Sequence, residues 1–171
     1  NPARQAAIRS GISKETPAFI VNQVCGSGLR SIVSGYQSIK SDDTKIIIAG
    51  GQENMSLAPH AIHLRDGKKL GDVELIDTMI KDGLWDAFHG YHMGVTAENV
   101  AEKFQITRDQ QDKFALKSHE KALNAQKQDK FDKEIVNYKI KSKNADIDFT
   151  TDEHPREGIN LDALSRLKPV F

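Results

Sequence analysis

Apolar and polar positions alternate in two registers near the start of the chain. Phe19-Ile20-Val21-Asn22-Gln23-Val24 is a short, apolar, β-branched run, and its length and composition predict a buried strand. After Cys25-Gly26-Ser27-Gly28, apolar residues return at Leu29, Ile32, Val33, Tyr36 and Ile39. That spacing predicts a helix from about Gly28 to Lys40 with one apolar face. Ser41-Asp42-Asp43 reads as a polar turn, and Lys45 to Ala49 as a second buried strand. Strand, helix and strand within so short a stretch predict a βαβ unit with a parallel pair, and hence an α/β fold. Ahead of this unit, Asn1-Pro2 supplies a helix cap and a first helical residue. Ser10-Gly11 supplies a stop, so a short helix is expected between them.

From Gln52 to about Met93 the pattern weakens into a long stretch rich in Gly, His, Asp and Met, a length that points to a functional segment or an inserted lobe. Helical periodicity resumes from Gly94 to about Phe104. Thr107-Arg108-Asp109-Gln110 then has the form of a capping box. The helix it opens is expected to run to about Gln126 and to bury Phe114, Ala115, Ala122 and Leu123. Lys127 to Lys133 reads as a charged turn, and Glu134 to Lys141 as an exposed strand around Ile135, Tyr138 and Ile140. A polar loop is expected from Asn144 to Asp162, with Leu161, Leu164 and Leu167 near its end.

Composition narrows the class. The chain has 171 residues, 38% of them apolar and 28% charged, a balance typical of a globular protein. Twenty-four basic and 24 acidic residues cancel, which removes the global argument for nucleic acid or for an anionic membrane surface. No apolar run approaches the ~20 residues of a membrane-spanning helix. A single cysteine cannot form an internal disulfide, and a reducing cytoplasm is the expected setting. The chain begins at Asn1 rather than Met and closes on Pro169-Val170-Phe171, so it is expected to be part of something longer.

Cys25 is the residue with the most chemistry on offer. At the carboxyl end of a strand in an open α/β sheet, and at the start of a helix, it stands where ligands bind and where helix N–H groups and the helix dipole favour an anion. A thiolate there is a nucleophile. The competing reading is a thiol packed as a small apolar filler. His60-Ala61-Ile62-His63 and His89-Gly90-Tyr91-His92 form two His-x-x-His pairs, but no Cys or carboxylate completes a familiar metal-ligand spacing, and no metal site is expected. One of these histidines could serve as a base to Cys25, and the pattern does not choose among them. The lysine-rich region from Lys113 to Lys143 reads as a solvated face.

The segment Val21-Asn22-Gln23-Val24-Cys25-Gly26-Ser27-Gly28-Leu29-Arg30 resembles the nucleophile segment of thiolases. So do Gly50-Gly51-Gln52-Glu53-Asn54-Met55-Ser56, Ala58-Pro59-His60, Gly90-Tyr91-His92-Met93-Gly94 and Thr96-Ala97-Glu98-Asn99, in order along the chain. Ketoacyl synthases surround their cysteine with Ala-Cys-Ser instead, and the His92-Met93 pair is similar to the short-chain, acetoacetyl-CoA-forming branch. The resemblance implies a layered α/β/α fold. Residues 1–54 would be part of an N-terminal α/β domain and 55–171 an inserted loop domain forming much of a coenzyme A groove, with the C-terminal domain absent. It implies that Cys25 carries an acyl group during condensation of two acetyl-CoA molecules to acetoacetyl-CoA, or the reverse thiolysis. Coenzyme A thioesters would be substrates, with no permanently bound cofactor. His92 and Met93 would line the pocket near the acyl group and pantetheine, Leu84 and Phe171 would pack on the pantetheine arm, and Arg156 would lie along the adenine. The family's activating histidine (Gly-His-Pro) and second cysteine (Cys-x-Gly) have no counterpart among the 171 residues, so this stretch alone is expected to be inactive. Homotetramers are common in the family. A non-catalytic acyl-CoA-binding module and, third, a zinc-binding protein are the alternatives.

Overall fold

Helix α1 (Pro2–Arg9) begins as its sequence requires. The Asn1 side chain accepts from the Arg4 N–H at 2.9 Å, Pro occupies the first turn, and Gly11 follows the end at φ +87°. The helix is tied to the chain that follows it by Asn1 Nδ2, which donates to the Ala18 carbonyl at 3.1 Å, and by the Arg4 guanidinium, which reaches the carbonyls of Lys14 and Thr16. A computed structural model describes residues 1–143 and 145–171; Asn144, where the polar loop is expected to begin, lies outside the described residues.

Two compact units make up the chain, Asn1–Trp85 and Asp86–Phe171. In the first, α2 (Ser27–Lys40) occupies the expected helix, but the flanking segments differ from expectation. Phe19–Val24 and Lys45–Ala49 form no parallel ladder with each other. The reason is that a crossover helix fixes the direction of its second strand but not that the two strands be neighbours, and ladder bonds need a strand alongside. The second segment still alternates from one residue to the next as a strand does. Ile47 packs against Gly35 of α2, whereas Ile46 and Ile48 turn away and are 85% and 81% exposed. Phe19, Ile20 and Val24 of the first segment, expected to be buried, are 65%, 56% and 58% exposed.

Beyond Gly51 the first unit is mostly irregular. Two short antiparallel strands, β1 (His60–Ala61) and β2 (Ile76–Asp77), pair in the register His60 to Asp77. A single π-turn, Ile80–Leu84, leads to β3 (Trp85–Asp86).

The second unit opens with β4 (Tyr91–His92) and α3 (Met93–Lys103), followed by α4 (Arg108–Lys127). The capping box is formed: Thr107 Oγ1 accepts from the Gln110 N–H at 3.3 Å, and Gln110 Oε1 accepts from the Thr107 N–H at 2.8 Å. Of the stripe expected on α4, Ala115, Ala122 and Leu123 are half-buried, whereas Phe114 is 77% exposed because it lies off the side that meets α5. β5 (Tyr138–Ile140) pairs antiparallel with β6 (Ile147–Phe149), a strand within the expected loop. Helix α5 (Leu161–Ser165) closes the unit against α4. There the Arg108 guanidinium donates to the carbonyls of Leu164 (2.7 Å) and Leu167 (3.0 Å) while pairing with Asp112, and Leu164 is 8% exposed.

Candidate active site

The turn that presents Cys25 is held by its own neighbours. Asn22 Oδ1 accepts from the Val24 N–H at 3.0 Å. Ser27 Oγ accepts from the Gln23 N–H at 2.9 Å and donates to the Val24 carbonyl at 2.6 Å. Backbone bonds from Gly26 N–H to the Gln23 carbonyl and from Ser27 N–H to the Val24 carbonyl close the loop. Val24 consequently sits at φ +48°, a left-handed conformation that a β-branched residue adopts only under constraint. The strained residue stands directly before Cys25, whose thiol is exposed two residues ahead of α2.

The start of α2 also fits tightly against the segment after Ala49. A Cβ on Gly51 would lie 3.2 Å from the Gly28 Cα, so Gly51 needs to be glycine for the backbones to approach this closely, whereas a Cβ on Gly28 would meet the Gly51 Cα at an ordinary 3.8 Å. The Ser31 hydroxyl lies 2.7 Å from the Gly28 carbonyl and 2.8 Å from that of Gly50, joining helix and segment. A thiol raised on a fixed turn at a helix start, with glycines in place of side chains around it, has the form of a nucleophile open to an extended substrate.

Leu84 ends the π-turn of the first unit and is half-buried. The remaining residues expected at the site lie in the second unit, where two of them meet. The rings of His92 and Phe171 are 4.7 Å apart with planes inclined by 24°, although 79 positions separate them in the chain. His92 also caps α3, its Nδ1 accepting from the Gly94 N–H at 2.9 Å, which fixes its proton on Nε2. Met93, the first residue of α3, is half-exposed beside it. Gly94 completes this cluster, because a Cβ there would overlap the Phe171 ring.

Upstream, Asp86 organises the turn that leads into β4. Its carboxylate accepts from the backbone N–H groups of Phe88 (2.8 Å) and His89 (3.0 Å), and His89 Nδ1 lies 2.9 Å away. The His89 backbone bond, then the His89 ring, then the Phe88 bond hold the Asp86 carboxyl below the usual carboxylate range. Three of the His-x-x-His histidines have separate partners, His89 at Asp86, His92 at the start of α3 and His60 4.0 Å from Asp77. Among the described residues no group of three or more His, Cys, Asp or Glu could hold a metal ion, and no helix is long and apolar enough to cross a membrane.

Arg156 lies apart from the His92 cluster in sequence, on a loop running beside α4. Gln126 Nε2 donates to the Asp152 carbonyl at 2.8 Å, Lys127 Nζ is 3.4 Å from Glu157 Oε1, and the Arg156 N–H donates to His119 Nδ1 at 3.2 Å. Sequence reasoning identifies neither Ser27 nor Gly94 nor His119. A hydroxyl two residues after the cysteine is a usable signal for the first, but the other two depend on partners 77 and 37 positions away.

Comparison with known proteins now bears on this arrangement. The family model described as "Thiolase, N-terminal domain" matches residues 1–171. An acetyl-CoA acetyltransferase of Rhizobium meliloti is 54% identical over the whole chain, which spans 44% of that protein. The cytosolic acetyl-CoA acetyltransferase of Rattus norvegicus is 51% identical, again over the whole chain and 43% of the relative. The crystal structure of the Bacillus anthracis acetyl-CoA acetyltransferase superposes with a TM-score of 0.94 at 38% identity, covering all of this chain and 43% of that one. The chain therefore spans less than half the length of the relatives it matches.

Proposed function

The chain belongs to the thiolase family and has its α/β fold, and on that premise we propose that Cys25 is the acyl-carrying nucleophile of an acetyl-CoA acetyltransferase. The observation that carries this reading is the Cys25 turn, an exposed thiol fixed by Asn22 and Ser27 behind a left-handed Val24.

In the forward direction the Cys25 thiolate adds to the acetyl-CoA carbonyl, and the tetrahedral adduct collapses to acetyl-cysteine as coenzyme A leaves with a proton. Splitting the transfer in this way replaces one difficult step by two. A second acetyl-CoA then loses a methyl proton, and the resulting carbanion attacks the acetyl-cysteine carbonyl. The new carbon–carbon bond yields acetoacetyl-CoA and frees the cysteine. The Cys25 backbone N–H, near the start of α2, is suited to stabilise the transient oxyanion. Proton transfer needs a base, for which the family uses a Gly-His-Pro histidine, and the 171 residues contain no such segment. We therefore place the acid–base step in the remainder of the complete protein.

His92 and Met93 are assigned to the acyl and pantetheine end of the substrate, and Leu84 and Phe171 to the pantetheine arm. Arg156 takes the adenine, where a guanidinium can stack on the ring. We assign residues 1–54 to the nucleophile-bearing domain and 55–171 to the loop domain that shapes the groove. A homotetramer in the cytosol, the compartment named for the rat relative, completes the proposal. Thiolysis of acetoacetyl-CoA by the complete protein carrying this chain, followed as loss of absorbance, tests it: Cys25→Ser must abolish turnover, and retained turnover would refute the assignment.

A further inference from the structure

The Arg156 loop has three ties to α4, and only one acts on Arg156 itself. The outer two hold the Asp152 carbonyl and the Glu157 carboxylate. The third is the bond from the Arg156 N–H to His119 Nδ1 at 3.2 Å. Because Nδ1 accepts, the His119 proton sits on Nε2. The same imidazole lies 6.4 Å from the His154 ring, with planes inclined by 20°. His119 therefore bonds the residue after Pro155 and lies alongside the ring of the residue before it; the proline itself has a fixed φ and no N–H to anchor. The Arg156 side chain is exposed and forms no ion pair among the described residues, so the position of its Cα decides where the guanidinium can reach.

We infer that His119 is a positioning residue for the nucleotide end of the substrate site, holding the backbone of Arg156 so that its guanidinium meets the adenine. The inference rests on the assignment of Arg156 made above. It places His119 away from the reacting carbonyl, so the residue acts on affinity for the adenosine half of a coenzyme A thioester and not on the chemical step.

The test is steady-state thiolysis by the complete protein with two substrates, acetoacetyl-CoA and acetoacetyl-pantetheine, which lacks the nucleotide. His119→Ala should raise KM for acetoacetyl-CoA by roughly threefold to tenfold, the loss of one hydrogen bond. It should leave kcat and the pantetheine thioester's KM unchanged. His119→Phe, which keeps a ring against His154 but offers no acceptor, should show the same split. His119→Asn, whose amide oxygen can accept, should recover most of the loss. An equal change with both substrates, or no change while Arg156→Ala raises KM, would overturn the role of His119. If Arg156→Ala itself leaves KM for acetoacetyl-CoA unaltered, the adenine assignment fails and the inference with it, while loss of turnover in Cys25→Ser would still support the nucleophile.

Discussion

The ring of Phe171 stacks on that of His92 at 4.7 Å and covers the space that a side chain on Gly94 would need. Gly94→Ala must therefore displace the ring, which is half-exposed and free to swing outward, so the stack on His92 is lost at little cost in stability. If His92 and Phe171 line the pantetheine arm, the variant should raise KM about tenfold for acetoacetyl-CoA and for acetoacetyl-pantetheine alike. In a Phe171→Ala background the same substitution should add little, since the clash is already gone. A full effect of Gly94→Ala in that background would break the link between the two residues.

Ser27 supplies two of the bonds that hold Val24 in its left-handed conformation. Ser27→Ala should lower stability by about 1–2 kcal/mol and slow formation of the acyl-enzyme, because the thiol loses its fixed position. Rapid-mixing measurement of coenzyme A release from acetyl-CoA checks this; Ser27→Thr, which keeps the hydroxyl, should retain most of the rate.

Gly35 is buried in α2, where an added Cβ would stand 3.0 Å from Ile47 Cγ2. Gly35→Val should destabilise the complete protein by about 1–3 kcal/mol in urea unfolding, and pairing it with Ile47→Ala should recover part of the loss.

Acid should loosen the turn at Asp86. Its folded carboxyl is held below the ordinary value by the backbone N–H of His89, the His89 ring and the Phe88 N–H. The unfolded chain binds its proton more readily, so the stabilisation is present above the ordinary aspartate value of about 4 and is lost as the pH falls through the lower folded value. The Tm difference between the parent and Asp86→Asn should be largest near neutral pH and should close below about pH 4; a gap that persists in strong acid would contradict this account.

What the sequence makes legible follows the range of each interaction. The Asn1 cap, the Thr107–Gln110 box and the limits of α2, α3 and α4 depend on residues within a few positions of one another, and their spacing is visible in the chain. Phe19–Val24 and Lys45–Ala49 are legible as short apolar runs, but the left-handed turn at Val24 and the pairing of either run depend on side-chain bonds and on which strand lies alongside, which no local apolar pattern records. β6 is hidden because Ile147-Asp148-Phe149 is a single apolar alternation inside a polar run, too short to stand out before Tyr138–Ile140 is seen opposite it. The Cys25 segment can be read because its turn is local. His92 meeting Phe171, and His119 meeting Arg156, cannot be read, since only the folded second unit brings them together.

The central claim is that Cys25 carries the acyl group. Incubation of the complete protein with acetyl-CoA, rapid acid quench and peptide mass analysis measures it directly. The account predicts one acetyl group on the peptide containing Cys25, absent in Cys25→Ser. An acetyl group trapped elsewhere, or turnover without a labelled Cys25 peptide, would contradict it.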